Sequence, residues 1–182
     1  MFHTPSIEQT KVQAEVMDLP LVITETEGIR EQELDDLTNV IREVKKKYDI
    51  DTIITGALHS DYQASRIQKI CDNLNLKCFN PLWHKDEIEY LKELINNKFK
   101  IIITAVAAYP LNQSWLGKVI NKQFIDEVQQ LKDKYKIHAA GEGGEFETFV
   151  LDCPLFKREL KVKSFRDIKE GENSWRREIE VN

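Results

Sequence analysis

Residues 99–108, Phe-Lys-Ile-Ile-Ile-Thr-Ala-Val-Ala-Ala, form the most apolar segment of the chain and predict a β-strand. β-Branched and small apolar residues of this kind are typical of a buried strand. The pattern of elements before this strand differs from the pattern after it. We therefore predict two regions, an α/β region over residues 1–98 and a smaller lobe over residues 99–182.

Short apolar strands alternate with helices through the first region. Residues 52–55 and 77–79 predict strands, and Asp86 is placed to cap a helix that ends near Asn97. A helix is also predicted to open at Thr4 and Pro5. This alternation indicates an α/β fold, with a parallel sheet and crossover helices.

The pattern changes in the second region. Residues 123–135 predict a helix, whereas residues 149–151, 160–162 and 178–181 predict short strands with no helix between them. The C-terminal lobe is therefore predicted to be α+β.

Composition excludes several classes of protein. The net charge of −5 over 182 residues argues against a protein that holds nucleic acid by bulk electrostatics. No run of 18 apolar residues predicts a membrane span. The three cysteines form no C-x-x-C pair, which fits a reducing cytoplasm, and the four histidines have no helical i, i+4 spacing. The sequence thus predicts a cytoplasmic protein without a histidine-based metal centre.

The acidic glycine loop, residues 141–148, carries the strongest functional signal. Its sequence Gly-Glu-Gly-Gly-Glu-Phe-Glu-Thr places three glycines and three carboxylates within eight residues. Glycines permit close backbone approach at a cost in folding entropy, and neighbouring carboxylates repel one another unless a cation or proton donor lies among them. This mixture predicts a binding site, and the alternative is a solvated acidic turn.

Loops at the ends of the strands supply further candidates. Gly56 follows the strand at 52–55, Ser60 is placed to cap the next helix, and Arg66 lies inside that helix, an arrangement suited to an anion. The alternative is an ordinary turn with a surface arginine. Trp83 and Trp115 lie in loops after two other strands, where each either lines a pocket or covers the core. We expect these three loops to share one sheet edge and, with the acidic glycine loop, to form a cleft between two lobes.

Together these strings resemble one family, the diphthine–ammonia ligases and related archaeal ATP-binding proteins of the N-type ATP pyrophosphatase class. The resemblance covers nearly the whole chain. The matching strings are Met-Phe-His-Thr-Pro (1–5), Gly-Ala-Leu (56–58), Tyr-Gln (62–63) with Arg66, Pro-Leu-Trp (81–83), Ser-Trp-Leu-Gly (114–117) and residues 141–149, continued by Leu-Asp (151–152) and Pro-Leu-Phe (154–156).

The resemblance implies a Rossmann-like fold of the adenine nucleotide α-hydrolase type and an ATP-dependent amidation that uses Mg²⁺. In that reaction the carboxylate of diphthine, a modified histidine of translation elongation factor 2, is adenylated and then attacked by ammonia. It implies that residues 1–98 form a partial nucleotide-binding domain and that residues 99–182 form a substrate-binding lobe. Nucleotide contacts are implied for Gly56, Ala57, Leu58, Ser60 and Arg66. The residues it implies for substrate binding are Tyr62, Gln63, Trp83, Trp115, Gly141, Glu142, Gly143, Gly144, Glu145, Phe146, Glu147 and Thr148. For Phe146 a role as a core anchor is the alternative. No residue is identified as catalytic or as a metal ligand.

The sequence departs from the family pattern at its start. Family members begin with a strand, a Ser-Gly-Gly-Lys-Asp-Ser phosphate loop, a helix and a second strand, and this sequence begins at the segment that follows them. We therefore expect a sheet lacking its first two strands, and weak ATP binding by the chain alone. An upstream fragment, a second copy in a homodimer or a different start would complete the sheet. The alternatives to a ligase are a non-catalytic binding protein, half of a split enzyme, and a relative that acts on another carboxylate.

Overall fold

The protein divides into two compact units. The structure, a computed structural model, describes residues 5–27, 29, 31 and 33–182. The first unit comprises residues 21–85, and the second comprises residues 5–20 together with residues 86–182. The prediction of a helix that opens at Thr4 and Pro5 is wrong at Pro5, because Ser6 has a left-handed φ of 56° and the α-helix begins only at Thr10. Thr4 itself lies outside the described residues. Residues 86–98 group with the second unit in the structure, and the functional division predicted between residues 98 and 99 stays a prediction.

Helices and strands alternate from residue 33 to residue 152, and the last three strands follow one another without a helix, as predicted. In order the elements are a 3-10 turn (Ile7–Gln9), α1 (Thr10–Met17), α2 (Glu33–Tyr48), β1 (Thr52–Ile54), α3 (Asp61–Asn73), β2 (Lys77–Phe79), α4 (Glu87–Asn96), β3 (Lys100–Val106), a second 3-10 turn (Gln113–Trp115), α5 (Lys122–Tyr135), β4 (Phe146–Asp152), β5 (Val162–Lys169) and β6 (Trp175–Val181).

The first unit contains a β1-α3-β2 crossover. Strands β1 and β2 pair in parallel, with Thr52 opposite Lys77 and Ile54 opposite Phe79. Apolar residues of α2 and α3 pack with the segment that enters β2, since a parallel pair needs helices to cover it. The prediction of a parallel sheet is confirmed for these two strands.

The second unit contains an antiparallel sheet of four strands in the order β4-β3-β6-β5. Strand β3, the most apolar segment of the sequence, pairs with β4 along one edge and with β6 at Ala105 and Val106 on the other. The segment after Trp115 continues that second edge, because Ile103 donates to Lys118 O and Ile120 donates to Ile101 O. The expectation that the loops after three strands share one sheet edge is therefore wrong for β3, which lies in a different sheet from β1 and β2.

Two apolar clusters cover the faces of β3. Ile101, Ile103 and Val106 lie in one cluster, and Ile102 lies in the other. The alternation changes phase between residues 103 and 106 because Thr104 is an extra residue, a β-bulge opposite the step from Thr148 to Glu147. β3 is thus a buried strand whose bulge shifts which face its last residues present.

Side-chain caps fix the starts of three helices. Ser60 accepts from Gln63 N at α3, Asp86 accepts from Ile88 N and Glu89 N at α4, and Asn121 accepts from Phe124 N at α5. Each oxygen satisfies a backbone donor that has no partner inside its helix. The predicted caps at Ser60 and Asp86 are confirmed.

Two leucines in the segment before β5 provide a matched test of this packing. Leu160 is 0% exposed and belongs to the cluster on one face of the sheet, whereas Leu155 is 69% exposed. We expect Leu160→Ala to lower the free energy of unfolding by about 2–5 kcal/mol, because it removes buried methyl groups and leaves a cavity. Leu155→Ala should change it by less than about 0.5 kcal/mol. Urea unfolding followed by circular dichroism measures both, and equal effects would contradict the described packing.

Candidate functional site

The start of the acidic glycine loop is held by side chains that accept its backbone N–H groups. His138 N donates to Glu145 Oε1 at 2.8 Å, and Ala139 N donates to Glu87 Oε2. Ala140 N and Glu142 N both donate to Nδ1 of His138, each at 3.3 Å. Since unsatisfied buried N–H groups cost free energy, these four bonds fix the path of the backbone into the loop.

Glu87 is the charged centre of this arrangement. Its side chain is 13% exposed, its Oε1 accepts from Lys132 Nζ at 2.8 Å, and its Oε2 lies 3.7 Å from His138 Nδ1. Burial alone would raise the pKa of Glu87, but the hydrogen bonds from Lys132 and Ala139 N outweigh it, so the pKa lies below its ordinary value of 4.5. The carboxylate is therefore held in its charged form.

Glu145 and Glu142, two of the predicted acidic residues, have different surroundings. Glu145 turns one oxygen towards His138 N, while its other oxygen, Oε2, is buried and accepts no hydrogen bond from the described residues. Glu142 lies near Tyr90, and burial together with the charge of Glu142 raises the pKa of the tyrosine. A buried carboxylate oxygen of this kind is satisfied by an N–H donor or a cation.

Two glycines of the loop adopt backbone conformations that favour glycine. Gly141 has a φ of +76°, and a Cβ there would lie 2.7 Å from Phe146 O. Gly144 has a φ of +83°, but a Cβ there would meet no atom within 4 Å. The close approach needed at Gly141 supports the prediction that the glycines serve backbone geometry.

Phe146, Glu147 and Thr148 belong to strand β4 rather than to a free loop. Phe146 is 4% exposed and its ring contacts Phe124 edge to face, with 5.8 Å between centroids. This placement favours the core-anchor interpretation of Phe146. Glu147 and Thr148 are half-buried and pair with Ala105 and Ile103 of β3. Glu147 follows Phe146 in the strand and so faces the opposite side of the sheet.

The loops after β1 and β2 lie together in the first unit. Thr55 N donates to Phe79 O at 3.1 Å, and His84 N donates to Leu58 O at 2.8 Å. The His84 ring contacts those of Trp83 and His59, with 4.7 and 5.7 Å between centroids. The predicted residues Gly56 to Ser60 and Trp83 are thus brought to one end of the parallel pair.

Other predicted residues of this turn already have contacts within the chain. Arg66 donates from Nε to Glu31 Oε1 at 3.1 Å, and its guanidinium lies 3.5 Å from the centroid of the Tyr62 ring. Gln63 N donates to the Ser60 cap. Ala57 and Leu58 are buried, so they offer a ligand only their backbone. The Glu31 carboxylate compensates the charge of Arg66, and an anion at this guanidinium would have to compete with it.

Trp115 lies in the core of the second unit. It is 8% exposed, its ring packs edge to face on Phe124 at 5.5 Å, and Lys118 Nζ lies 4.1 Å from its ring centroid. The structure therefore favours the core-covering alternative for Trp115, and substrate binding by this side chain stays a prediction.

Glu87 and His138, which hold the acidic glycine loop, are not among the site residues predicted from the sequence. The spacing of the histidines predicts no helical pair, and the one signal for His138 is its position three residues before Gly141.

The first unit also has a cavity of about 630 Å³ that contains none of the predicted site residues. It is lined by Glu25, Thr26, Glu27, Ile29, Asp35 and Asp36. Within residues 5–27, 29, 31 and 33–182, no group of three or more His, Cys, Asp or Glu side chains is arranged to hold a metal ion. None of the helices in this part of the chain is long and apolar enough to cross a membrane.

Comparison with known proteins gives matches along most of the chain. A family model described as "Diphthamide synthase N-terminal domain" matches residues 1–78, and one described as "Diphthamide synthase C-terminal domain" matches residues 86–181. Proteins named "Diphthine–ammonia ligase" are similar to the chain. That of Mus musculus is 37% identical over 179 residues, which cover 90% of this chain and 66% of the relative. That of Homo sapiens is 36% identical with the same coverage, and that of Danio rerio is 33% identical over 187 residues, 96% of this chain and 73% of the relative. The chain thus spans just under two thirds of the length of its mouse and human relatives.

Substitutions at Glu87 and Glu89, which lie on the same helix, test how much the Glu87 carboxylate contributes to stability. Glu87→Gln removes the charge paired with Lys132 and should lower the free energy of unfolding at pH 7 by about 1–3 kcal/mol. Because the pKa of Glu87 is lowered by folding, its contribution is present above pH 4.5 and is lost as the pH falls through the folded value. The difference from the unaltered chain should therefore shrink below pH 4.5. Glu89→Gln, at a side chain 62% exposed, should change stability by less than about 0.5 kcal/mol at pH 7. Equal losses in the two variants would contradict the assignment.

Alanine substitutions at Gly141 and Gly144 distinguish the cost of a steric contact from the cost of a left-handed backbone conformation. Gly144→Ala should cost about 1–2 kcal/mol, the penalty of a left-handed conformation alone. Gly141→Ala should cost about 1–3 kcal/mol more, because its Cβ also meets the backbone oxygen of Phe146. Urea unfolding of both variants measures the difference, and equal costs would show that the Phe146 contact relaxes freely.

Proposed function

The chain belongs to the diphthamide synthase family, and on that premise we propose that it takes part in the ATP-dependent amidation of diphthine on translation elongation factor 2. The products of this reaction are diphthamide, AMP and pyrophosphate. The relatives named diphthine–ammonia ligase supply the reaction class.

The chemistry of the reaction determines which groups a site must provide. An oxide is too poor a leaving group for ammonia to displace directly from a carboxylate. Transfer of an adenylyl group from ATP to the carboxylate oxygen releases pyrophosphate and provides a better leaving group. Ammonia then forms the C–N bond and AMP departs. The site must therefore bind a quaternary ammonium group, an ammonium ion and a nucleotide.

The observation that carries the proposal is the fixed position of the Glu145 carboxylate. One of its oxygens is held by His138 N, and the buried Oε2 accepts no hydrogen bond from the described part of the chain. A cation beside Oε2 would compensate that carboxylate and would also be attracted by Glu142 in the same loop. Ammonium could donate a hydrogen bond there, whereas a trimethylammonium group has no N–H and would be attracted by charge alone. We propose that the acidic glycine loop binds ammonium or the trimethylammonium group of diphthine. Gly141, Gly143, Gly144 and the backbone of residues 146–148 shape that surface.

The turn after β1 is the proposed nucleotide contact of this chain. A Cβ at Gly56 would meet no atom within 4 Å, so a ligand can approach that backbone closely. The first amides of α3 are used internally, since Asp61 N donates to His59 O and Gln63 N donates to Ser60. Asp61 also places a negative charge at the helix start, and Arg66 is paired with Glu31. We therefore propose that this turn contacts the adenosine part of ATP, and no step of phosphate chemistry is assigned to its residues.

Mg²⁺ belongs to the proposal only through the family reaction. The described residues hold no carboxylate cluster with the geometry of a metal site. Oxygen ligands in octahedral arrangement are what Mg²⁺ requires, and much of that shell is usually supplied by phosphate and water. No residue of this chain is therefore assigned as a metal ligand.

Binding of elongation factor 2 with and without diphthine tests the substrate. We expect the chain to bind the diphthine-bearing form more tightly than the unmodified form, by about 10-fold or more. A carboxylate and a cation about 4 Å apart near a protein surface attract by up to about 4 kcal/mol, and a 10-fold difference needs about 1.4 kcal/mol. Glu145→Gln should remove most of this preference, because an amide keeps the acceptor for His138 N but loses the charge. Glu172→Gln, in the exposed turn between β5 and β6, is the matched control and should retain it.

Equal affinity for both forms of elongation factor 2 would overturn the proposed substrate. Exchange of pyrophosphate into ATP that depends on the diphthine-bearing form separates a ligase from a binding protein. Preferential binding without exchange would favour the non-catalytic alternative for the chain assayed alone.

A further inference from the structure

We infer that the unprotonated imidazole of His138 is the template that sets the conformation of the acidic glycine loop, and that protonation of this ring releases the loop. His138 is thereby a positioning residue that makes the loop sensitive to pH. This inference deepens the proposed function, because it concerns the same loop and rests on that loop as the substrate-binding surface.

The geometry that supports this inference is the sharing of one nitrogen by two backbone donors. Ala140 N and Glu142 N each lie 3.3 Å from His138 Nδ1, so both N–H groups converge on it. The same turn is closed by Gly141 N, which donates to His138 O at 3.0 Å. Three N–H groups between residues 140 and 142 therefore depend on His138.

These bonds fix the tautomer of the ring. A ring nitrogen that accepts hydrogen bonds carries no proton, so the neutral imidazole bears its proton on Nε2. Protonation of Nδ1 would place a third N–H against two others. Both backbone bonds would then be lost, and the ring would become a donor instead of an acceptor.

Charged groups on α4, on α5 and in the loop itself influence the protonation of Nδ1. Glu87 Oε2, from α4, lies 3.7 Å from Nδ1 and offers the protonated ring an ion pair. Lys132, from α5, binds the other oxygen of Glu87 and opposes a positive ring. Within the loop, Glu142 and Glu145 both carry carboxylates that favour the protonated form. The ring thus has two arrangements: neutral and bound to the loop amides, or charged and bound to Glu87.

The consequence for the loop is a change in the position of Glu142 relative to Glu145. Glu142 is tied to the ring through its own N–H, whereas Glu145 is tied to the backbone N–H of His138. Loss of the bonds to Nδ1 frees the amides of Ala140 and Glu142. It leaves the bonds from Gly141 N to His138 O and from His138 N to Glu145 intact. A substrate held by both carboxylates would therefore bind more weakly when the ring is charged.

Two substitutions distinguish the effect of the Nδ1 acceptor from the effect of side-chain size. In His138→Asn the amide oxygen sits on Cγ, where Nδ1 sits in histidine, so an uncharged acceptor is kept. In His138→Gln the polar atoms lie near the position of Nε2 and that acceptor is removed. The pair therefore differs in the one atom on which the inference depends.

The experiment is amide hydrogen exchange measured by NMR on the full chain at neutral pH. We expect His138→Gln to reduce the protection of the Ala140 and Glu142 amides by about 5- to 100-fold, as the loss of one or two hydrogen bonds predicts. His138→Asn should keep protection within about threefold of the unaltered chain. Equal loss in both variants, or no loss in His138→Gln, would overturn the inference.

A titration tests the protonation step. In the unaltered chain the amide chemical shifts of residues 140 and 142 should change together between about pH 8 and pH 5, the range in which histidines titrate. In His138→Asn the same shifts should stay flat. Flat shifts in the unaltered chain would overturn release by protonation.

Binding of diphthine-bearing elongation factor 2 connects the loop to the proposed function. We expect weaker binding in His138→Gln, recovery in His138→Asn, and a decline in the unaltered chain alone as the pH falls. If the amide measurements give the expected results but the unaltered chain shows no preference for diphthine, the proposed function fails and the template stands. If the preference exists but the amides do not respond, the template fails and the proposed function stands.

Discussion

Strand β3 is enclosed on all sides, because other segments pair with both of its edges and apolar clusters cover both of its faces. This enclosure fixes the acidic glycine loop at its C-terminal end. Val106 pairs with Phe146, and Ala107 N donates to Glu145 O at 2.9 Å. The other end of the loop is fixed by Glu87 and His138. The loop therefore joins two rigid supports, so its glycines give it shape without making it free to move.

Charge in the loop is managed by giving its glutamates different partners. Glu145 turns towards the backbone of His138, Glu142 lies near Tyr90, and Glu147 follows Phe146 on the other face of β4. Three adjacent carboxylates with the same surroundings would repel one another at neutral pH. Their separation leaves the buried oxygen of Glu145 beside a fixed backbone, which is the feature the proposed binding of a cation uses. The partly buried ion pair of Glu87 and Lys132 stabilises this arrangement, because Glu87 also accepts from Ala139 N.

Local signals predicted much of the fold. The caps at Ser60 and Asp86, the strand at residues 77–79 and the parallel pairing of β1 and β2 all follow from short-range patterns. Strand β5 was predicted to end at residue 162, where in fact it begins and continues to Lys169. Six of its eight residues are exposed, Val162 and Phe165 among them, so no buried apolar alternation marks it. Pairing with β6 creates this strand. Placing β3 likewise required knowledge of its partners, since a buried strand has the same composition in a parallel or an antiparallel sheet.

Residue types and their spacing are enough to predict the family, the alternation of elements and a loop rich in glycine and acid. Which groups hold that loop depends on contacts between residues that are distant in the chain. Glu87 and Ala139 lie 52 positions apart, and only the packing of α4 beside α5 brings the carboxylate to that amide. Tertiary structure also placed Trp115 and Phe146 in the core, because an aromatic ring in a loop sequence is buried or exposed according to what packs against it.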